Sequence, residues 1–418
     1  MDERHDRLAE ATTLMTSFVE RTGLVGGRPQ VRYLWTDAFA LCNLVGLAGV
    51  LGRPDLLRLA GLLVDGVHHT LGRHRPDDVR TGWISGSSEA EGEAHPTRGG
   101  LRIGKQLPER GPDQPMDDRR EWDRDGQYFH YLTRWMHGLD QLARATREAH
   151  LNLWARELAA AAVAGFALPR SEAPSRLAWK MSIDLSRPLV ASMGQHDALD
   201  GAVTCAQLRQ TAAALDVPPE GPRLEHEERA LRDIAEHVAW ATADPLGIGG
   251  LLADAAWTAQ LVAAGALDAP VLLPRLLEAA LPGLQHLHAV SELGGDAARR
   301  LPFRELGLAI GLEGLAVIRL ALQAAPDRFA ERERTARLLS ALEQYISLGS
   351  ALRSFWRATR NQSVSTWRDH LDINAVMLAT SLAPEGYLVL REPLRPGNGA
   401  WPEDAPALTS PRRSSSPR

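Results

Sequence analysis

The chain has 418 residues, of which 44% are hydrophobic and 24% charged, with a formal net charge of -5; this is the balance of a globular chain with a sizeable core. That charge excludes a nucleic-acid binder built on a broad basic face. The opening MDERHDRLAEATT is charged and amphipathic, without the apolar centre of a secretory leader, and no later run has roughly 18 unbroken apolar residues, so no membrane partner and a cytoplasmic location are expected.

Alternating β-branched runs are rare, whereas Ala, Leu, Arg and Glu recur with apolar residues at i, i+3, i+4 and i+7, which predicts an all-α chain. After an N-terminal helix around 3 to 22, a unit recurs in which an apolar, small-residue-rich helix is followed by a more charged amphipathic one. The apolar members are expected at 33 to 47, 125 to 139, 193 to 208, 246 to 261, 305 to 320 and 366 to 382, with amphipathic partners such as 56 to 71 and 150 to 166. Helices apolar all round belong inside and helices with one wet face outside, so six such hairpins predict two concentric rings, an (α/α)6 toroid. A stacked solenoid is disfavoured because no fixed period of about 34 residues recurs. The N-terminal helix is expected to pack as partner of the last hairpin.

Residues 1–395 then form one domain. Within it, residues 76–124 make a connection too long for a simple loop, whose Trp83, Ile84, Leu101 and Ile103 predict a lid over a pocket. The Pro/Ser-rich tail 396–418 has no periodic pattern and is expected to be disordered. Cys42 and Cys205, the two cysteines, lie in apolar helical stretches and are expected to be core thiols, which excludes a disulfide framework or a cysteine zinc site.

Polar and aromatic residues gather where the inner helices begin. Hairpin one offers Arg32, Trp35 and Asp37; hairpin two Trp122, Asp123, Asp125, Tyr128 and His130; hairpin three Gln195, His196, Asp197 and Asp200; hairpin six Trp367, Arg368, Asp369, His370 and Asp372. Hairpins four and five offer only Asp254, Trp257, Glu305 and Glu313. Acids at helix starts serve as caps and favour the helix dipole, but neither effect calls for Trp, His and Arg beside them. In GQHDALDG, His196 and Asp200 are one turn apart and Asp197 and Asp200 nearly so, a spacing suited to acid–base work. The catalytic candidates are therefore Asp123, Asp125, His130, His196, Asp197, Asp200 and His370. Substrate contacts are expected from Arg32, Trp35, Asp37, His95, Arg98, Arg102, Trp122, Tyr128, Gln195, Trp367 and Asp372.

No H-E-x-x-H or comparable ligand spacing occurs, so neither a metal nor another cofactor is expected. GGLRIGKQ matches part of a phosphate-binding loop, but Gln106 replaces the hydroxyl residue, Pro108 blocks the helix start and no strand precedes it. Arg98, Arg102, Lys105 and Arg110 nonetheless suit an anionic group on a small-molecule substrate. Trp is abundant, at 11 against 7 Phe and 5 Tyr, and indole faces stack on sugar rings.

Six unequal αα-hairpins with Trp, Asp, His and Arg at the inner-helix starts resemble the six-hairpin toroid enzymes of carbohydrate chemistry, over roughly residues 30 to 395. The resemblance is architectural and includes glycoside hydrolases and N-acylglucosamine 2-epimerase-like isomerases. It implies a sugar-active enzyme with its pocket at one end of the ring. The leading expectation is a glycoside hydrolase, with two of Asp123, Asp125, Asp197 and Asp200 flanking the glycosidic bond as acid and as base or nucleophile; the alternative is an epimerase or isomerase that uses His130, His196 or His370 to move a proton beside a carbonyl. An isoprenoid cyclase would suit the indoles but lacks D-x-D-D and D-D-x-x-D runs, and a non-catalytic helical-repeat binding protein would not need His and Asp at the helix starts.

Overall fold

In the computed structural model, which describes residues 3–168, 176–215, 220–290 and 295–391, the helical periodicity is realised almost throughout: the chain is 65% helical and 4% strand. The predicted tail 396–418 lies outside the described residues. Thirteen helices of ten residues or more occur among them: α1 (Glu3–Arg21), α2 (Leu34–Leu51), α3 (Pro54–Leu71), α4 (Phe129–Thr146), α5 (Ala149–Phe166), α6 (Asp197–Ala214) and α7 (Glu225–Ala235), followed by α8 (Pro245–Ala263), α9 (Leu272–Val290), α10 (Pro302–Ala324), α11 (Arg332–Glu343), α12 (Ile346–Arg357) and α13 (Leu371–Leu382).

The helices that are apolar all round form the interior. α2 packs on α4, α4 on α6, α6 on α8, α8 on α10 and α10 on α13, and α13 returns to α2. Amphipathic helices pack outside them: α3 on α2, α5 on α4, α7 on α6, α9 on α8, α12 on α10, and α1 on α13, the partnership expected for the N-terminal helix. α2 and α8 have the length and composition of membrane spans, but most of each is buried inside the body, which makes them core helices. The thiols Cys42 and Cys205 are buried on α2 and α6.

Two departures from the sequence reading matter. Helices α4, α6 and α13 start at 129, 197 and 371 rather than at 125, 193 and 366. Before α4 the chain is extended: Gly126 adopts φ 148, and Gln127–Tyr128 (β1) pairs antiparallel with Lys180–Met181 (β4), which pairs in turn with Pro188–Val190 (β5). Two further strands, Ala167–Leu168 (β2) and Arg176–Leu177 (β3), form a separate pair. The second departure is residues 384–391, which turn back and form a plug toward the C-terminal ends of the inner helices. Gln141 Nε2 donates to the carbonyls of Gly386 (2.9 Å) and Val389 (2.8 Å), and Gln260 Nε2 to that of Leu388 (2.9 Å). Tyr387 lies flat on Phe39, with ring centroids 4.6 Å apart.

Residues 76–124 are built into the body. Trp83, Ile84, Leu101 and Ile103 are all buried, and the backbone bonds run from Arg102 N to Leu71 O (2.9 Å), Leu34 N to Ile103 O (3.0 Å) and Ile103 N to Gly126 O (2.8 Å). The segment therefore forms a fixed shoulder beside the starts of α2 and α4.

Candidate functional site

The starts of α2, α4 and α6 come together beside the β1–β4–β5 sheet and form a mouth at the end of the inner helices opposite the plug. His130, the second residue of α4, sits there inside an aromatic box. Its ring stacks on Tyr128 (5.4 Å between centroids, 28°) and lies parallel to Trp179 (6.3 Å, 12°), with Trp35 edge-on at 5.9 Å and Tyr131 at 4.9 Å. Trp122 extends the wall, edge-on to Trp179 at 5.1 Å and itself exposed to solvent. Asp197, the first residue of α6, brings Oδ1 to 3.8 Å from His130 Nδ1. Three buried polar atoms at this mouth have no hydrogen-bond partner among the described residues: His130 Nδ1, Asp197 Oδ2 and Trp35 Nε1. Buried polar atoms in folded proteins are nearly always paired, with protein groups or with ordered water.

Beneath the box the lumen is polar and closed. Arg134, one turn along α4, donates from Nη1 to Asp200 Oδ1 at 2.8 Å, and Thr133 donates to Asp200 Oδ2. The Arg134 guanidinium also lies 5.3 Å from the centroid of Trp257. Asp254 on α8 is fully buried with neither carboxylate oxygen hydrogen-bonded. Burial first, and then the charge of Asp200, hold its carboxyl well above the usual carboxylate range. Deeper still, His137 lies between Gln207 Oε1 and the Tyr387 carbonyl, each 2.9 Å away, and Asp140 accepts from Arg144 (2.7 Å), Gln207 (2.7 Å), Thr211 (2.9 Å) and Asn152 (3.0 Å). The titratable load of EWDRDGQYFHYLTRWMHGLD is thereby divided: His130 faces the mouth, Arg134 the middle, and His137 and Asp140 the floor.

Of the residues singled out in the sequence, His130, Asp197, Trp35, Tyr128 and Trp122 come together at the mouth, with Asp200 just beneath. The others take different positions. Asp125 is fully buried and consumed by Arg102 (2.5 Å), Arg75 (3.2 Å) and the amides of Gly104 (3.0 Å) and Lys105 (3.4 Å), so Asp125 and Arg102 clamp the shoulder instead of facing a substrate. Arg32 and Asp37 form a closed pair at 3.2 Å, and burial, only partly offset by Arg32, raises Asp37 to about 6. His95 and Arg98 turn outward to Glu157 on α5 (2.8 and 3.0 Å). His196 Nε2 donates to the Trp240 carbonyl (2.7 Å), and Gln195 donates to the carbonyls of Ala239 and Ala241 (both 2.7 Å). Trp367 stacks on Trp356 at 5.9 Å, Asp372 pairs with Arg21 at 2.8 Å, and Asp123 and His370 are exposed.

Sequence reasoning passed over Trp179 and Tyr131 and undervalued Asp254. Trp179 is positioned by the β4–β5 pairing, with its amide on the Val190 carbonyl at 3.1 Å. Its signal was the isolated AWKMSIDL stretch, whose alternation is too short to stand out. Two concavities occur elsewhere, about 130 Å³ beside α5 and α6 and about 400 Å³ beside the starts of α8 and α10. Among the described residues no cluster of three or more His, Cys, Asp or Glu is arranged to hold a metal ion.

No family model matches the chain, and neither a curated protein nor a solved structure matches it.

Proposed function

We propose that the chain is an (α/α)6 toroid whose mouth binds a sugar and that His130, with Asp197 beside it, moves a proton on that sugar, as an epimerase or isomerase does. The cyclic order of α2, α4, α6, α8, α10 and α13, each backed by an outer helix, supports the toroid. The observation that carries the chemistry is the aromatic box around His130, with Asp197 Oδ1 3.8 Å from its Nδ1 and with His130 Nδ1, Asp197 Oδ2 and Trp35 Nε1 buried without hydrogen-bond partners among the described residues. Indole and phenol faces accept the C–H face of a pyranose, and an imidazole with a carboxylate beside it has the donor and acceptor atoms that general acid–base work uses.

A glycoside hydrolase is the second reading, favoured by the Asp197 carboxylate among the mouth indoles. It ranks lower because hydrolysis needs two carboxyl groups facing the glycosidic bond, roughly 5 Å apart when retaining and 6.5–9.5 Å when inverting. Asp200 is occupied by Thr133 and Arg134 beneath the box, and Asp254 is fully buried.

The deciding experiment incubates the protein in D2O with gluco-, galacto- and manno-configured aldoses and their N-acetylated 2-amino forms, and follows the C2 proton by NMR. Exchange at C2 that falls by 10²–10⁴-fold in His130→Asn, with an unchanged melting temperature, is the expected result. Release of nitrophenol from aryl glycosides without C2 exchange would replace the first reading by the second. Sugar binding with neither reaction would leave a non-catalytic binding protein.

A further inference from the structure

The sequence offers four basic side chains on the 98–110 stretch for an anionic group, and three are consumed. Arg98 pairs with Glu157 at 3.0 Å, Arg102 with Asp125 at 2.5 Å, and Arg110 with Glu121 at 3.2 Å while also donating to the Leu189 carbonyl at 2.8 Å. Lys105 is different. Among the described residues it has no carboxylate partner, and its ammonium stands over the face of Tyr33, 5.4 Å from the ring centroid.

Its place is fixed by the backbone. Gly104 adopts φ 92, and a Cβ there would lie 2.2 Å from the Arg32 carbonyl oxygen, so only glycine lets the chain pass this close to the start of α2. Asp125 then accepts the amides of both Gly104 and Lys105. From that anchored turn the side chain reaches the wall of the His130 box. The Tyr33 hydroxyl is 2.7 Å from that of Tyr131, and the Tyr131 ring lies against His130 and Trp35. Lys180 approaches the same wall from the sheet side, its ammonium 5.5 Å from the Tyr128 centroid, but it is buried and satisfied by Glu121 (2.9 Å) and the Arg124 carbonyl (2.9 Å). Burial chiefly pushes Lys180 below its ordinary range.

The mouth thus has an acid at one side, Asp197, and an uncompensated cation at the other. We infer that the sugar bound there carries an anionic substituent, a carboxylate or a phosphate, which Lys105 recognises while the ring stacks in the box around His130. This deepens the sugar reading above and rests on it. An ammonium that meets an anion at a partly desolvated aromatic wall gains a charge-assisted contact that a neutral sugar does not offer.

The test titrates the full chain, read by tryptophan fluorescence, with D-glucose, D-glucuronate, D-glucose 6-phosphate and inorganic phosphate, and repeats the set in galacto and manno configuration. The expected result is at least tenfold tighter binding of an acidic sugar than of its neutral counterpart; the stronger of the carboxylate and phosphate arms identifies the group. Lys105→Gln should level these affinities and Lys105→Arg should keep the preference, both with unaltered melting temperature. Equal binding of neutral and acidic sugars, or a preference that survives Lys105→Gln, overturns the inference and leaves the sugar reading standing. Inorganic phosphate binding through Lys105 with no sugar bound, or no response to any probe, overturns the sugar reading and this inference with it.

Discussion

The two halves of the helical interior are built on different physics. Between α4 and α6 the interior side chains are large, polar and paired across the helices, as in Arg134 with Asp200 and Asp140 with Gln207 and Thr211. Between α8 and α10 almost no side chain intervenes: a Cβ at Gly249 would lie 2.2 Å from the Gly307 carbonyl oxygen, and one at Gly311 would lie 2.4 Å from that of Gly249. Close backbone approach gives dense dispersion contact and a rigid wall but leaves no room for chemistry. The polar half keeps its helices apart with side chains that need partners, and its upper end is where partners run out. The unpaired atoms of His130, Asp197 and Trp35 all belong to this half, and Asp254 faces it from the glycine half.

The largest expected effect is in the polar half. Arg134→Met leaves Asp200 buried with only Thr133 as partner, and breaking one side of a buried ion pair typically costs about 3–5 kcal/mol. Urea unfolding should show a loss of that order; a loss below about 1 kcal/mol would mean that the middle of the lumen does not depend on this pair.

Adjacent glycines sharpen the contrast next. Gly249→Ala forces the new methyl into the Gly307 carbonyl and should cost about 1–3 kcal/mol. At Gly250 a Cβ would meet only Arg134 Nη2, at 3.9 Å, so Gly250→Ala should be neutral or stabilise by up to about 1 kcal/mol through helix propensity. Equal effects at the two positions would erase the distinction between the wall and the polar side.

How far the sequence disclosed this follows from the same contrast. Helices apolar all round, such as LWTDAFALCNLVGLAGVL, announce themselves because burial on every side leaves no wet face, and the order of six inner helices was therefore legible. So was the crowding of His130, Asp197, Trp35 and Tyr128 at helix starts. Direction was not legible. His95, Arg98 and Arg102 have the composition of a binding loop, yet the shoulder turns them toward Glu157 and Asp125, which only tertiary contacts decide. Trp179 hangs on strands of two and three residues, too short for a periodic signal. The plug at 384–391 contains a single helical turn, Glu385–Leu388, and Asp254 reads as a lone acid within LLADAAW because its neighbour Asp200 is on another helix.

The last contrast concerns pH, where two buried groups have opposite signs. Asp254 has a folded pKa raised well above 3.8, chiefly by burial, so the folded state binds one more proton than the unfolded state between 3.8 and that raised value. Stability from this group therefore grows as pH falls through the window, by about 1.4 kcal/mol per pH unit. His68 accepts from Trp135 Nε1 at 3.1 Å and is pushed by burial from 6.5 down to about 3, so the unfolded state binds the extra proton and stability falls as pH drops below 6.5, at the same rate per unit. Below both 6.5 and the raised Asp254 value the two slopes oppose each other. Asp37, raised to about 6, adds to the Asp254 side, and His137, lowered to about 4, adds to the His68 side; burial is the leading cause for both. Asp254→Asn should therefore steepen the loss of stability on acidification by about 1.4 kcal/mol per unit relative to wild type, and His68→Asn should reverse the trend by a similar amount. Chemical denaturation at pH 6.5, 5.5 and 4.5 measures both. If Asp254→Asn leaves the pH profile unchanged, Asp254 titrates as an ordinary carboxylate, and the polar half does not hold a buried proton beneath His130.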